Sequence, residues 1–112
     1  MQHLIEKLRE FARERDWEQF HSPKNLAMAL SVEAAEIVEH FQWLTEQQSR
    51  HLSVEAIEKI REEIGDVLNY LIELSDKLGI DPIEAASDKI EKNKKKYPAK
   101  VVKGKALKYT DY

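Results

Sequence analysis

The sequence contains no cysteine, only three glycines and only three prolines in 112 residues. The lack of cysteine excludes a disulfide framework, a thiol nucleophile and cysteine-bound zinc. So few glycines and prolines argue against a turn-rich β fold. No apolar run approaches the roughly 20 residues that span a bilayer. The N-terminal residues also lack the apolar core of a signal peptide, so we expect a cytoplasmic protein without a membrane partner.

Apolar residues are nonetheless plentiful, at 42% of the chain, which is enough for the packed core of one domain. Charge is distributed unevenly along the sequence. Residues 89–112 hold nine lysines and two acids, a net charge of +7, whereas residues 1–88 carry −10. A tail that is simply exposed to solvent would explain these lysines as well as a functional role would. We therefore expect a domain over residues 1–98 followed by a basic tail over residues 99–112.

Apolar spacings of three and four residues predict about four helices and an all-α bundle. Their expected limits are about 3–15, 22–44, 53–78 and 82–97. Ser22 and Ser53 are expected as N-caps, and Gly79 as the residue that ends the third helix. Asp81 followed by Pro82 marks the start of the fourth helix.

The third helix carries a coiled-coil-like apolar repeat, spaced alternately by three and four residues: Ile57, Ile60, Ile64, Val67, Leu71, Leu74 and Leu78. A short polar link joins the second and third helices, so an antiparallel pair is predicted. The repeat is longer than one small chain is expected to cover. We therefore predict a homo-oligomer, with a tetramer as the first expectation and a dimer as the second.

Pairs of acids three residues apart occur seven times, so this spacing alone indicates little. Glu33 is distinctive because it falls within the apolar stripe of the second helix, and Glu36 follows one turn later. Glu63 and Asp66 lie beside the repeat of the third helix, with Tyr70 in the same row. If the two helices pack together, four carboxylates converge and repel one another unless some are protonated or a cation binds.

Oxygen ligands without histidine or cysteine favour Mg²⁺ or Mn²⁺ over zinc. A buried carboxylate answered by lysine or arginine would explain the same pattern. Trp17 in a loop and Trp43 near a helix end could stack on a flat base, although ordinary packing would explain them equally well. Asn93 occupies an apolar stripe of the fourth helix, where its amide needs a partner, either substrate or another helix.

The two acidic pairs, Glu33-Ala-Ala-Glu36 and Glu63-Ile-Gly-Asp66, resemble the signature of the MazG-like nucleotide pyrophosphohydrolases. Several flanking segments resemble its dCTP pyrophosphatase 1 subgroup more specifically. They are Arg15 to Leu26, Phe41-Gln42-Trp43, Asp66 to Leu71, Lys89 to Asn93, Lys96-Tyr97-Pro98 and Lys108-Tyr109-Thr110. The resemblance covers about residues 4–110.

This resemblance implies Mg²⁺-dependent hydrolysis of a nucleoside triphosphate, such as dCTP or 5-modified dCTP, to the monophosphate and pyrophosphate. Such a reaction would control or clean the nucleotide pool. The resemblance makes Glu33, Glu36, Glu63 and Asp66 the catalytic and metal-binding set. It implies substrate contacts by a wider set of residues: Trp17, Lys24, Asn25, Trp43, Tyr70, Lys89, Asn93, Lys96 and Tyr97.

The chain departs from the subgroup in two places that bear on substrate preference. The link from Thr45 to Leu52 is shorter than in animal members, and Leu8 stands where those members can carry a histidine. Two other functions compete with the enzyme: a non-catalytic helical interaction module with structural acids, and a nucleic-acid binder that uses the lysine tail. The acidic body argues against stable nucleic-acid binding.

Overall fold

The computed structural model describes residues 1–104, and within them the chain is helical with no β-strand. The helices are α1 (Gln2–Glu14), α2 (Pro23–Glu39), α3 (Glu46–Ser49), α4 (Val54–Lys77), α5 (Pro82–Lys96) and α6 (Ala99–Val102), with a 3₁₀ turn at Glu18–Phe20. The predicted all-α class is therefore confirmed. The tail lysines Lys105 and Lys108, and the Lys108-Tyr109-Thr110 segment, lie outside the described residues.

The predicted capping residues begin and end the helices as expected. The hydroxyl of Ser22 accepts a hydrogen bond from the backbone N–H of Asn25, and Ser53 caps α4 in the same way. The Asp81 carboxylate accepts two backbone hydrogen bonds at the start of α5. Gly79 follows α4 with φ +67°, a left-handed conformation that glycine adopts without the steric cost of a side chain.

The predicted end of α2 near Leu44 is wrong, because the helix ends at Glu39. Backbone hydrogen bonds of the turn type follow, including one from Leu44 N–H to Phe41 C=O. Thr45 then caps the short helix α3 through a capping box with Gln48. An N-cap residue needs an extended backbone, so α2 cannot continue through Thr45. The predicted link between the long helices thus contains a helix of its own.

Helices α2 and α4 form the central pair of the first part of the chain. His40 at the end of α2 lies near Glu63 early in α4, and His21 before α2 lies near Glu73 late in α4. The two helices therefore run antiparallel, as predicted. Leu26 of α2 and Ile72 of α4 are each only 1% exposed and lie in the core.

Helix α1 packs on the second half of α4, where it forms one wall of the site described below. Arg9 donates from Nε to Asp76 Oδ2 at 2.8 Å and from a terminal nitrogen to Oδ1 at 2.5 Å. This forked pairing holds the pKa of the Asp76 carboxyl below its usual value, chiefly through the hydrogen bonds. Ala12 of α1 is buried in the same region.

The apolar repeat of α4 divides between the core and the surface. Ile60 is buried, but four apolar side chains of α4 and that of its C-cap residue Leu78 are between 39% and 53% exposed: Ile57, Ile64, Leu68, Leu71 and Leu78. At 100° per residue the five fall on one side of the helix, and we call them the apolar stripe. Such an exposed apolar row is typical of an interaction surface.

The chain divides into two compact units, Met1–Ile80 and the part from Asp81 onward. The first contains α1 to α4 and all four predicted metal ligands. The second contains α5 and α6. The domain boundary predicted at residue 98 stays a prediction. No helix within residues 1–104 combines the length and apolar character needed to cross a membrane.

Candidate active site

Three carboxylates from the central helix pair come together in the first unit. Glu33 and Glu36 lie one turn apart on α2, and Glu63 reaches them from α4. One carboxylate oxygen of each lies within 4.8 Å of the other two. Asp66, the fourth predicted ligand, lies one turn beyond Glu63 and outside this group of three. Its negative charge nevertheless acts on both Glu33 and Glu63.

Two oxygens of this cluster are buried without any hydrogen-bond partner. They are Oε2 of Glu33 and Oε2 of Glu63, one from each helix. A buried carboxylate oxygen that lacks a donor costs free energy, because it has lost its water and gained nothing in exchange. Within residues 1–104, no lysine or arginine forms an ion pair with Glu33 or Glu63.

Glu33 is held in an environment that opposes its ionisation. Burial is the main cause, followed by a hydrogen bond shared with Glu36 and by the charges of Glu36, Asp66 and Glu63. Together they raise the pKa of Glu33 from 4.5 to about 7. Without a cation, this carboxyl therefore binds a proton more readily than an ordinary glutamate does.

Glu63 experiences the same repulsion and one opposing influence. A hydrogen bond shared with Glu36 raises its pKa most, followed by burial and by the charges of Glu36 and Asp66. The nearby His40 lowers it, with Nε2 lying 3.9 Å from Oε1 of Glu63. We did not expect a role for His40 from the sequence, since its neighbour lies on another helix.

These carboxylates have the properties of a divalent cation site. The donor set consists of oxygen alone, and two of its oxygens are buried without a donor. A cation among them would replace the shared protons and relieve the repulsion between neighbouring carboxylates. Glu33, Glu36 and Glu63 could hold such an ion, with Asp66 at the edge of the cluster.

A cavity of about 280 Å³ opens beside the acidic cluster. Its lining comes from α1, the loop after it and α4: Leu8, Phe11, Trp17, His21, Asp66, Asn69, Tyr70 and Glu73. We call it the aromatic cavity, because the aromatic rings of Phe11, Trp17 and Tyr70 form part of its lining. Asp66 and Tyr70 continue the row of α4 that begins at Glu63, so the cavity lies next to the acidic cluster. Burial, more than nearby negative charge, raises the pKa of Tyr70.

The aromatic side chains of this cavity pack against one another. The rings of Phe11 and Trp17 meet edge to face with centroids 5.7 Å apart, and Trp17 meets His21 at 6.4 Å. The Arg15 guanidinium lies 3.8 Å from the centre of the Phe11 ring. Trp17 is still 44% exposed, so part of its ring can contact a ligand.

The other predicted substrate residues of the first unit lie in different settings. Asn25 uses its side-chain amide to donate to the Phe20 carbonyl at 2.9 Å, which ties the loop to α2. Lys24 is exposed beside it. Trp43 is 86% exposed in the turn after α2 and does not line the aromatic cavity. The predicted substrate contacts of these three residues stay predictions.

Four predicted substrate residues belong to the second unit. Lys89, Asn93 and Lys96 lie on α5, and Tyr97 is its C-cap residue. Asn93 and Tyr97 are half-buried, whereas Lys89 is exposed. Their phosphate- and sugar-side roles stay predictions.

Beyond Asp66 and Tyr70, the polar lining of the aromatic cavity was not predicted from the sequence. Asn69 and Glu73 follow the acidic row of α4 at helical spacing, which is the signal that could have identified them. His21 Nδ1 lies 3.9 Å from the Glu73 carboxylate, a pairing across two elements that no local pattern reveals. Burial raises the pKa of Glu73, while His21 and Lys77 act in the opposite direction.

Known proteins resemble this chain in both sequence and fold. The MazG-like family model matches residues 28–112. Proteins named dCTP pyrophosphatase 1 from Rattus norvegicus and Homo sapiens are 41% and 40% identical over 104 residues, which is 91% of this chain. The chain spans only 61% of the length of these two relatives. A solved pyrophosphatase from Archaeoglobus fulgidus is 45% identical, with a TM-score of 0.77, covering 88% of this chain and 92% of that one.

Proposed function

The chain belongs to the MazG-like family, and we propose that it is a nucleoside triphosphate pyrophosphohydrolase, with dCTP and 5-modified dCTP as preferred substrates. The products are the nucleoside monophosphate and pyrophosphate. The observation that carries this proposal is the acidic cluster beside the aromatic cavity. Two buried oxygens of the cluster, one on Glu33 and one on Glu63, have no hydrogen-bond donor. The relatives named dCTP pyrophosphatase 1 support the choice of base.

In this proposal Glu33, Glu36, Glu63 and Asp66 hold Mg²⁺, and Mn²⁺ could replace it. A triphosphate is strongly anionic, so these acids cannot bind it without positive charge between them. When bound, the cation supplies polarisation of a phosphoryl oxygen and lowers the pKa of a water molecule. The pKa of Glu33 near 7 describes the chain without that ion.

Residues of the chain itself then provide the general base and bind the base, phosphates and sugar of the substrate. One carboxylate of the cluster accepts the proton of the attacking water as a general base. Trp17 and Tyr70 hold the base in the aromatic cavity, which places the phosphates toward Asp66 and the cluster. Lys89, Asn93, Lys96 and Tyr97 keep their predicted contacts with phosphate and sugar.

We propose that the chain forms a homo-oligomer that acts on the cytoplasmic nucleotide pool, with a tetramer as the first expectation and a dimer as the second. The apolar stripe of α4 supports the assembly, because five exposed apolar side chains on one helix face favour burial against another surface. A closed symmetric assembly of identical chains is the commonest way to provide that surface.

The first prediction tests the reaction and the site together. The purified protein should convert dCTP to dCMP and pyrophosphate when Mg²⁺ is supplied, and stop when the metal is chelated. Glu63→Gln should reduce kcat at least about 100-fold, because it removes charge from the ligand set. Asp66→Asn should also reduce turnover. The measurement is product formation by ion-exchange chromatography, over a panel of canonical and 5-modified triphosphates.

Glu58→Gln is the matched control, since Glu58 lies on the same helix but pairs with Arg61 at the surface. It should keep wild-type turnover. No metal-dependent hydrolysis of any triphosphate would contradict the enzyme and favour a helical interaction module with structural acids. Unchanged activity in both Glu63→Gln and Asp66→Asn would contradict the site assignment alone.

A further inference from the structure

Glu73 is a largely buried carboxylate that the hydrolytic reaction does not use. Its side chain is only 14% exposed, and it lines the aromatic cavity together with Trp17 and Tyr70. The His21 ring at 3.9 Å is its partner, too distant for a good hydrogen bond. Within residues 1–104 the carboxylate accepts no hydrogen bond. An acceptor is thus presented in an aromatic cavity without a donor to satisfy it.

We propose that Glu73 determines base specificity by accepting a hydrogen bond from an exocyclic amino group, so that the cavity selects cytosine over uracil or thymine. This inference rests on the proposed function, because it assumes that the base occupies the aromatic cavity. It adds a residue that takes no part in metal binding. Glu73 lies about two turns along α4 from Asp66.

The chemistry of the bases supports this choice. Cytosine presents an amino group at ring position 4, whereas uracil and thymine present a carbonyl oxygen there. An ionised carboxylate only accepts hydrogen bonds, so it pairs with the amino group and is repelled by the carbonyl. A site that offers an acceptor without a hydrogen-bond donor rejects the analogue that lacks the donor more strongly than it rejects a change in size.

The size and walls of the cavity suit one heteroaromatic ring. Its volume of about 280 Å³ lies just below the roughly 300–1,000 Å³ of sites that enclose a whole drug-sized ligand. Trp17 and Tyr70 offer flat faces for a ring, while the phosphates remain outside near Asp66. Asn69 and Glu73 are then the polar groups placed to form hydrogen bonds with one edge of the ring.

Two neighbours complete this polar edge. His21 lies beside Glu73 and can hold its carboxylate in one orientation, which makes His21 a positioning residue. Asn69 also lines the cavity, and its side-chain amide has no hydrogen-bond partner within residues 1–104. An amide both donates and accepts, so Asn69 can complement a second polar atom of either pyrimidine. Discrimination between the two bases therefore depends on Glu73.

The test compares dCTP with dUTP, whose bases differ in the group at position 4 and in whether N3 carries a hydrogen. We expect wild-type protein to have a higher kcat/KM for dCTP. Glu73→Gln replaces the acceptor by an amide that can also donate to a carbonyl. It should lower the ratio of the two kcat/KM values at least about tenfold, mainly by improving dUTP. Glu58→Gln, a surface acid on the same helix, should leave the ratio unchanged.

Binding of dCMP and dUMP by calorimetry in the absence of metal provides a second readout. Wild-type protein should bind dCMP more tightly, and Glu73→Gln should narrow the difference. Thermal unfolding would verify that the variant folds, and Glu73→Ala would replace it if it does not. A wild-type dCTP preference that the folded Glu73 variant retains would overturn the inference while leaving the hydrolase intact. Failure of wild-type protein to hydrolyse any triphosphate would instead overturn the proposed function.

Discussion

Glu33 occupies a position of α2 where the helical repeat expects an apolar side chain, and its Oε2 atom is buried without a donor. The neighbouring carboxylates make ionisation still less favourable, so its pKa rises to about 7. A proton or a cation satisfies this group, and the two compete for it. The stability of the fold and the occupancy of the site are therefore linked through one side chain.

This linkage predicts how metal-free protein responds to pH. Because the pKa of Glu33 is raised from 4.5 to about 7, its stabilising proton is bound below pH 4.5 and lost as pH rises through 7. Chelator-treated protein should therefore unfold at a lower temperature at pH 8 than at pH 5. Glu33→Gln should reduce this difference, as followed by circular dichroism.

Mg²⁺ should raise the unfolding temperature of the wild type more at pH 8 than at pH 5, because fewer protons then compete for the carboxylates. Glu39→Gln, an exposed acid of the same helix, is the control and should keep the wild-type pH response. Equal pH responses in Glu33→Gln and wild type would contradict the role given to Glu33.

Helix α4 contains a glycine in its middle and another just after its end, and the two have different physical roles. Gly65 lies inside the helix, and an added Cβ would meet nothing within 4 Å. Gly79 has φ +67°, which an L side chain rarely adopts. Glycine inside a helix destabilises the helix, whereas glycine at the left-handed position after a helix stabilises the helix end.

Alanine substitutions at the two positions should therefore have opposite effects. Gly65→Ala should stabilise the fold by about 0.5–1 kcal/mol, because alanine restricts the unfolded chain and favours helix. Gly79→Ala should destabilise it by about 1 kcal/mol or more. Urea denaturation of each variant measures both. A destabilising Gly65→Ala would mean that another chain packs closely against this part of α4.

The elements differ in how well the sequence predicts them. The N-cap of α4 at Ser53 and the glycine that follows the helix, Gly79, were predictable, because the capping residues and the apolar repeat agree. The end of α2 was not, since Phe41 and Leu44 continue the apolar spacing after the backbone has turned. The acidic cluster was predicted from Glu33 in an apolar stripe. The Glu73–His21 pairing required the tertiary fold, because its members come from separate elements.

At the scale of the whole chain, charge and exposed apolar surface are both unevenly distributed. The second unit, from Asp81 onward, holds most of the lysines, and the first holds the acidic cluster. The apolar stripe on α4 remains 39% to 53% exposed in the single chain. Exposure of this kind on one helix face favours association between chains over a monomer.

Solution mass should therefore be a multiple of the 13.1 kDa chain, with four copies as the first expectation. Ile57→Lys combined with Ile64→Lys should shift the mass toward one copy, because buried lysine charge opposes association. Sedimentation equilibrium measures both masses. Glu55→Lys changes a polar position of the same helix and should preserve the assembly. A wild-type monomer at micromolar concentration would contradict the oligomer.

One helix carries both features on which these expectations depend. The acidic row with Glu63 and Asp66 lies on one side of α4, and the apolar stripe with Ile64 and Leu68 lies nearly opposite, since each residue advances the helix by about 100°. A rotation of α4 about its own axis would therefore displace both surfaces together. A partner that packs against the apolar stripe would therefore also fix the orientation in which the acidic row faces the aromatic cavity.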